Sequence, residues 1–499
     1  MDLSYKARKE AFVSDLTGGN IGEINSVTLV APASILLWSA LQSRLSFFYP
    51  YTTTALITDF LINVLAILFA TTLYSSAPLL LNILLASPAV LILLNYSRSR
   101  PQQKTKPLRR SENDSSTKEQ SSGGSESLPI HPFITTYRAA MMVITCVAIL
   151  AVDFRVFPRR FAKVENWGTS LMDLGVGSFV FSGGVVSARS ILKNRNSESS
   201  TRSLLQRLIA SMRHSFPLLV LGLIRLYSVK GLDYAEHVTE YGVHWNFFFT
   251  MGLLPPFVEI FDALAVFIPR YEVLSLGIAI LYQVLLESTD LRAYILVSPR
   301  GPGLLSKNRE GIFSFLGYLA IFLAGRATGI RSIPRGTSPS TSPQQARKRT
   351  LTCLGVQTVS WTTLFILNST FAFGYGANIP VSRRLANMPY VLWVAAFNNA
   401  QVFLFCLLET FFFPSVHRAL GKEGEAERVS FATSRILTAF NKNGLFIFLV
   451  ANLLTGAVNL SIHTLDMNTV QAMAILVGYA AILTGIALGL DKANIKLTL

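Results

Sequence analysis

Long apolar runs alternate with short polar segments along almost the whole chain. A run of about 20 mostly apolar residues can cross a bilayer as a helix. About thirteen such runs are present, with cores at roughly 26–48, 54–74, 77–96, 133–153, 167–190, 207–229, 243–268, 273–289, 311–330, 350–374, 388–413, 443–463 and 470–490. Backbone groups in lipid must be satisfied within their own segment, so these runs are expected to be helices. The pattern therefore predicts an all-α, polytopic integral membrane helical bundle with about 13 transmembrane helices.

The polar segments between the runs predict one membrane-embedded domain over residues 1–499 with two flexible basic loops. Residues 97–132 and 331–349 are rich in Ser, Lys and Arg and have almost nothing to bury, so they are expected to be disordered. Residues 414–442 are mixed in character and are expected to hold an amphipathic surface helix. The first apolar run lacks a small-residue cleavage site after it, so we interpret it as a span and not as a signal peptide.

Composition and charge support a membrane protein with basic loops. The chain is 51% hydrophobic and only 14% charged, whereas soluble domains carry about 25% charge. The net charge is 44 − 28 = +16, but the charges lie in short segments and not on one solvated face, so no nucleic-acid partner is expected. The three cysteines show no zinc spacing, and no metal site is expected.

Parity of the spans predicts the orientation. The basic loops 97–132, 190–206 and 331–349 fall on one side, which the positive-inside rule assigns to the cytoplasm. The N-terminus is then lumenal and the C-terminus cytoplasmic. By the same parity the turn 154–166 is lumenal, although it carries four basic residues. Basic residues on the lumenal side are unfavourable under the positive-inside rule. Their presence here therefore suggests a function for this turn.

The turn and its flanks supply the first candidate site. Asp153 and Lys163 are predicted to form an acid/base pair, because a carboxylate and an ammonium brought together can tune each other's pKa. Pro158 is expected to begin a short interfacial helix. The candidate substrate-binding residues of this region are Arg155, Arg159, Arg160 and Trp167, and Arg159 and Arg160 are expected to face a phosphate together. The structural alternative is that the basic side chains snorkel to headgroups while the aromatic side chains anchor the interface.

A second candidate lies in "DYAEHVTEYGVHWNFF", residues 233–248. His237, Glu240 and His244 are spaced by three and four, so they would share one face if this segment is helical. A histidine at a membrane edge is a suitable general base, because its pKa lies near neutral. A hydrogen-bonded interfacial histidine beside Trp245 explains the pattern equally well. The substrate-binding candidates here are Glu240, Trp245 and Asn246.

Two further basic clusters fall on the same predicted side. Arg309, in "KNREGIFSFLGY", could hold a phosphate or carboxylate through two hydrogen bonds, or form a salt bridge with Glu310. Arg383 and Arg384 lie in "PVSRRLANMPYVLW". Four polar clusters on one face of a bundle favour an amphipathic substrate with an anionic head and a lipid tail.

Several long motifs resemble one family. They are "RKEAFVSDLTGGNIGEINSVT", "DFRVFPRRFAKVENWGTSLMDLGVGSFVFSGG", "EHVTEYGVHWNFFFT", "NREGIFSFLGY", "SRRLANMPYVLW" and "NGLFIFLVANLLTGAVNLS". Together they resemble the GPI inositol acyltransferases. The resemblance implies an endoplasmic reticulum protein that transfers a palmitoyl chain from acyl-CoA to the inositol 2-hydroxyl of glucosaminyl-phosphatidylinositol. It implies no cofactor beyond acyl-CoA as co-substrate, and it assigns acid/base chemistry to the motif that contains Asp153 and Lys163.

Two other classes of function remain open at this stage. A transporter or flippase for a lipid-linked sugar would show broken helices in repeated halves, and no repeat is found. A non-catalytic scaffold of GPI assembly would not need polar clusters that converge on one membrane face. Consumption of acyl-CoA by the purified protein separates both alternatives from an acyltransferase.

Overall fold

The computed structural model of the chain describes residues 5–96, 130–195, 203–230, 238–333, 343–370, 376–414, 416 and 422–497. Within these ranges, 13 helices are long and apolar enough to cross a membrane. They are α1 (Ile21–Leu45), α2 (Thr53–Thr71), α3 (Pro78–Asn95), α4 (Pro132–Ala151), α5 (Leu171–Lys193), α6 (Leu204–Ser228), α7 (Phe247–Leu264), α8 (Tyr271–Ser288), α9 (Arg309–Ser332), α10 (Gln344–Ser369), α11 (Met388–Phe412), α12 (Gly444–Ser461) and α13 (Thr469–Lys492). The predicted polytopic helical fold is confirmed.

Shorter helices lie between the spans. They are Tyr5–Val13, Val238–Tyr241, Leu291–Leu296, Leu304–Lys307, Lys422–Phe431 and Arg435–Lys442, with 3₁₀ turns at Arg159–Phe161 and Thr464–Asp466. The surface helix expected within 414–442 is observed as two helices. The second one, Arg435–Lys442, is capped by Ser434, whose hydroxyl accepts a hydrogen bond from the Leu437 amide. The loops predicted at 97–132 and 331–349 lie mostly outside the described residues.

Polar caps at helix starts fix where several spans begin. The side-chain oxygen of Asn246 accepts hydrogen bonds from the first amides of α7, and Asn387 does the same for α11. Asn468 and Gln471 form a reciprocal capping box at the start of α13. These caps satisfy amides that have no partner within the helix. Each lies at an end of its span, where the chain leaves the apolar layer.

The centre of the bundle is built on the packing of α5 against α9. A Cβ atom on Gly184 would lie 2.1 Å from the carbonyl oxygen of Phe322, and one on Gly325 would lie 2.1 Å from that of Phe181. Glycine is therefore required for this close approach, as at small-residue interfaces in other membrane bundles. The apolar stretch of α9 is 83% buried, whereas those of α6 and α12 are each 17% buried. These two helices therefore lie at the edge of the bundle.

Buried hydrogen bonds also tie the central helices together. Asn398 of α11 accepts a hydrogen bond from the hydroxyl of Tyr137 on α4 at 2.7 Å and donates one to Ser178 on α5 at 2.9 Å. The adjacent Asn399 accepts a hydrogen bond from Thr328 on α9 at 2.9 Å. Interhelical bonds of this kind stabilise a membrane bundle by about 0.6 kcal/mol each. They orient the four helices whose ends carry the polar clusters.

Contacts between connecting segments sort the chain into two faces. At one face, Gly19 donates to the carbonyl of Thr169 at 2.8 Å and Val243 to that of Lys307 at 2.9 Å. We call this the site face; its segments are 5–20, 72–77, 152–170, 238–246, 289–308, 376–387 and 462–468. At the opposite face, Lys442 pairs with Asp491 at 3.1 Å. We call it the basic-loop face, because the basic loops predicted to be cytoplasmic connect helix ends there.

The orientation can be checked with single cysteines on the two faces. In a chain whose partly exposed Cys353 is changed to serine, Ser203→Cys at the basic-loop face should react with an impermeant maleimide in sealed microsomes. Gly303→Cys at the site face, where an added Cβ meets no atom within 4 Å, should react only after permeabilisation. The reverse labelling pattern contradicts the predicted orientation.

Candidate functional site

The turn after α4 is held by buried aromatic rings and one arginine. Phe154, Phe157 and Phe161 are fully buried. The Nη2 atom of Arg159 donates to three carbonyl oxygens, those of Val152 (2.8 Å), Phe154 (3.3 Å) and Phe157 (2.9 Å). The expected interfacial helix after Pro158 is only a single 3₁₀ turn, Arg159–Phe161, because the chain is extended again at Ala162.

Arg159 and Arg160 hold the turn in place. The guanidinium of Arg159 lies 3.7 Å from the centre of the Phe12 ring, and burial lowers the pKa of Arg159 to about 10. The Nε atom of Arg160 donates to Glu23 at 2.7 Å, and its Nη2 atom donates to the carbonyl of Ser75 at 3.3 Å. The two arginines were expected to face a phosphate together, but their contacts are with the protein.

Two other residues of the turn were predicted to bind substrate. Arg155 is exposed at the site face, so its guanidinium is accessible to a headgroup. Trp167 is half-buried and packs on a small apolar cluster that includes Tyr282 and Leu385. Trp167 therefore anchors the turn against α8 and the segment that precedes α11.

Asp153 lies at the centre of a polar triad at the start of the turn. Its Oδ2 atom accepts a hydrogen bond from Asn459 of α12 at 2.8 Å, and its Oδ1 atom lies 3.7 Å from Lys9 Nζ. Lys9 also donates to Asn459 Oδ1 at 2.5 Å. Burial raises the pKa of Asp153, while Lys9, Asn459 and Arg159 lower it in part. The triad holds a half-buried carboxylate whose pKa is raised above that of an ordinary aspartate.

Lys163 belongs to a different group of charges. Its Nζ atom donates to Glu240 Oε1 at 2.7 Å, and the same oxygen lies 3.5 Å from Arg383 Nη1. Burial alone would raise the pKa of Glu240, but Lys163 and Arg383 outweigh it and lower that pKa to about 2. The direct Asp153–Lys163 pair expected from the sequence is therefore not formed. The turn instead directs the two side chains to different neighbouring segments.

Arg383 links this group to the first turn of α5. Its Nε atom donates to Asp173 Oδ1 at 2.6 Å. Asp173, which is fully buried, also accepts hydrogen bonds from the Ser170 hydroxyl at 2.7 Å and the Val164 amide at 3.1 Å. The order Lys163–Glu240–Arg383–Asp173 therefore connects four segments of the site face through alternating charges.

A second charged group surrounds the buried Glu310 at the start of α9. Arg300 reaches both carboxylate oxygens, at 2.6 and 3.1 Å. Arg384 donates to Oε1 at 3.1 Å and to the side chain of Asn166 at 2.7 Å. Arg309 lies 3.7 Å from Glu310 and donates to the carbonyl of Ser298 at 2.6 Å. For Arg309, the alternative of a salt bridge with Glu310 is thus what the structure shows.

The predicted histidine face does not form among the described residues. The helix Val238–Tyr241 ends before Gly242, which has a φ of +119°. A Cβ atom at Gly242 would lie 2.6 Å from the Cα of Asn308, so only glycine fits there. Glu240 and His244 therefore lie on different elements, and the prediction that they share a helical face is wrong. His237 lies outside the described residues.

The residues around His244 form hydrogen bonds with other parts of the protein. The side-chain oxygen of Asn308 accepts hydrogen bonds from the amides of His244 at 2.8 Å and Trp245 at 3.0 Å. The Trp245 indole donates to the Thr250 hydroxyl at 2.9 Å. Asn246 caps α7. The Nδ1 atom of the His244 ring lies 3.5 Å from the side-chain nitrogen of Asn308, so the ring has a hydrogen-bonding partner, as the alternative of an interfacial histidine expects.

Several residues of the site were not found from the sequence. They are Lys9, Asp173, Arg300, Glu310 as a shared carboxylate, and Asn459. The motifs that carry the family resemblance include Lys9, Asp173, Glu310 and Asn459, so the resemblance offered a signal for these four. Periodicity and spacing offered none, because Lys9 and Asn459 are 450 positions apart in the chain.

The linking role of Arg383 predicts a large loss of stability for Arg383→Gln. Removing one partner of a buried ion pair typically costs 3–5 kcal/mol, because the remaining carboxylate stays buried and unpaired. Arg292→Gln is the matched control, since Arg292 forms an exposed pair with Glu287 and such pairs contribute about 0–1 kcal/mol. Thermal unfolding of both variants in detergent measures the difference. Equal unfolding temperatures contradict the linking role.

Comparisons with known proteins agree with the motifs that meet at the site. A family model, GWT1, matches residues 5–490. GPI-anchored wall transfer protein 1 of Aspergillus oryzae is 76% identical over 500 residues and covers 100% of both chains. The proteins of that name from Aspergillus fumigatus and Gibberella zeae are 75% and 54% identical, each with 99% of both chains covered. The chain belongs to the GWT1 family.

Proposed function

We propose that the protein is a GPI inositol acyltransferase of the endoplasmic reticulum membrane. It transfers a fatty acyl chain, palmitoyl, from acyl-CoA to the inositol 2-hydroxyl of glucosaminyl-phosphatidylinositol. The relatives at 41–76% identity are GPI-anchored wall transfer proteins, and the family resemblance of the motifs supplies the reaction. The N-terminus and the site face are lumenal in this proposal, and the C-terminus is cytoplasmic.

The observation that carries the proposal is the setting of Asp153. Acyl transfer to a sugar hydroxyl needs a base that takes the hydroxyl proton as the new bond forms. Burial raises the pKa of Asp153 toward the range useful for a base. Its two hydrogen-bond and charge partners hold the carboxylate in one orientation. Residues with a pKa raised by burial and a fixed charge partner cluster at functional sites, so this setting supports a general base.

The reaction uses Asp153 and Lys163 at separate positions around the substrate. The inositol hydroxyl oxygen attacks the thioester carbonyl carbon while Asp153 takes its proton. Lys163, held by Glu240, donates a hydrogen bond to the oxyanion that develops on the carbonyl. The C–S bond then breaks, the ester C–O bond is complete, and the proton on Asp153 passes to the CoA thiolate. The products are the acylated inositol and free CoA, and the carboxylate is restored.

The exposed charges of the site face are suited to the acceptor headgroup. Arg155 is accessible and lies two positions after Asp153, so it can pair with the phosphate of a phosphatidylinositol. The Lys163 side chain is 38% exposed, so its ammonium group can donate further hydrogen bonds to the substrate. The buried Arg309, Arg383 and Arg384 instead fix the walls of the site through Glu310 and Asp173.

Loss of the base should abolish turnover without loss of fold. Asp153→Asn keeps the shape of the side chain and its contact with Asn459 but cannot accept the proton. We expect kcat to fall about 10²–10⁴-fold, measured with purified protein, palmitoyl-CoA and a glucosaminyl-phosphatidylinositol analogue. The control is Asp466→Asn, an exposed carboxylate of the same face that pairs with Arg8. Full activity of Asp153→Asn, or a wild type that moves the lipid without consuming acyl-CoA, contradicts the proposal.

The contact of Lys9 with Asp153 predicts a shift in the pH profile. The positive charge of Lys9 lowers the pKa of Asp153, so Lys9→Met should raise that pKa further. The base is then protonated over a wider range, and the acidic limb of kcat should move to higher pH. Arg8→Gln, on the same short helix, should leave the limb in place. An unchanged limb in Lys9→Met shows that Asp153 is not the titrating base.

A further inference from the structure

An apolar groove lies on the outer surface of the bundle between α10 and α11. The apolar stretch of α10 is only 22% buried, whereas that of α11 is 72% buried, so α10 is an edge helix. The floor of the groove is the Phe403 ring of α11. A Cβ atom on Gly355 would lie 3.4 Å from that ring, so the glycine allows the ring to lie close to the α10 backbone. Val356 and Val359 are 61% and 66% exposed, so the groove, with a volume of about 450 Å³, opens outward to the lipid.

Two cations continue the groove face of α10 toward the basic-loop face. The α10 residues that line the groove recur every three or four positions, as one face of a helix does, and include Thr352, Gly355, Val356, Val359 and Ser360. Lys348 and Arg349 lie one turn earlier on the same face, and both are exposed. Helical side chains lean toward the N-terminus of their helix, which for α10 is the basic-loop face. The two cations therefore extend away from the groove to the level of lipid headgroups.

The surroundings of the two cations are basic. Residues 331–350, which lead into α10 and form its first turns, contain five lysines and arginines and no acidic residue. Two carboxylates of neighbouring helices at this face have other partners. Glu272 pairs with Arg331 at 2.5 Å, and Glu409 accepts a hydrogen bond from the Phe133 amide at 2.7 Å. A basic segment next to the end of a transmembrane helix is typical of a site for anionic lipid.

We infer that the groove and the two cations form a binding site for one anionic glycerophospholipid at the basic-loop face. The lipid phosphate pairs with Lys348 and Arg349 through charge-assisted hydrogen bonds. One acyl chain lies in the groove, along Val356 and Val359 and over the Phe403 ring. The site lies on the lipid-facing surface of α10, and the inference does not rest on the proposed function.

The charges at the top of the groove favour a lipid over a second copy of the chain. Two copies that meet along α10 by a twofold axis normal to the membrane bring equivalent residues together. Lys348 and Arg349 of one copy then face those of the other, and like charges at short distance repel. An anionic headgroup in the same place is attracted to the cations instead.

The test is a titration of the detergent-solubilised full chain with dioleoyl-phosphatidylserine or dioleoyl-phosphatidylcholine, followed by native mass spectrometry. The wild type should bind one phosphatidylserine about 10-fold more tightly than phosphatidylcholine. Lys348→Gln/Arg349→Gln should raise the Kd for phosphatidylserine about 10-fold or more, because each cation near an anionic lipid contributes roughly five-fold to the affinity. Arg270→Gln/Lys492→Gln removes two other exposed cations of the same face and is the matched control, with an unchanged Kd.

A second variant tests the groove separately from the charges. Gly355→Leu keeps both cations but fills the groove beside Phe403, so the Kd for phosphatidylserine should rise here as well. Glycerophosphoserine, which has the headgroup but no acyl chain, should not displace the lipid from the wild type. An unchanged unfolding temperature in detergent shows that each variant is folded.

Four results overturn the inference. One is an equal affinity of the wild type for the two lipids, and another is an unchanged Kd for phosphatidylserine in either the cation variant or the groove variant. The third is an equal loss in the control pair, which indicates a general effect of surface charge, or displacement of the lipid by glycerophosphoserine, which indicates a site for a free anion. The fourth is a wild-type dimer that Gly355→Leu abolishes, which assigns the groove to a second copy of the chain.

Discussion

The buried arginine at position 383 is the interaction on which the site face depends. Its guanidinium lies between Asp173 and Glu240, so it connects its own segment before α11 to the start of α5 and to the segment before α7. Glu240 in turn pairs with Lys163 of the turn after α4. Buried charges are costly unless they are paired and hydrogen-bonded. This need forces the four segments into one arrangement, since any other leaves a carboxylate alone in an apolar setting. The position of Lys163 follows from it.

In the proposed reaction, the two charged side chains of the turn have different roles. Asp153 is held by α12 and the N-terminal helix, whereas Lys163 is held by Glu240. Had they paired with each other, each would have stabilised the charged form of its partner and neither would have been available to a substrate. Their separate anchoring keeps a carboxylate of raised proton affinity on one side and a cation on the other. That separation is what proton removal and oxyanion stabilisation require.

The spans were predictable because lipid imposes a length and an apolar composition on every crossing helix. The prediction was correct even for α6, which has three basic residues, and for the short α8. The clustering of the polar motifs on one face of the bundle followed from the parity of the spans. The pairing of side chains was not predictable, because Lys9, Asn459 and Arg383 reach their partners across the fold and leave no local pattern. Glu240 and His244 do not share a helical face, because the helix ends at Gly242, which has a positive φ.

The central claim is that acyl transfer takes place at Asp153. It is tested most directly by determining the structure of the protein with a non-hydrolysable thioether analogue of palmitoyl-CoA and glucosaminyl-phosphatidylinositol. The account predicts that the inositol 2-hydroxyl lies within hydrogen-bonding distance of the Asp153 carboxylate, about 2.6–3.2 Å, with the thioether beside it. A ternary complex whose inositol hydroxyl and thioether meet at the His244 segment, or at the basic-loop face, contradicts it.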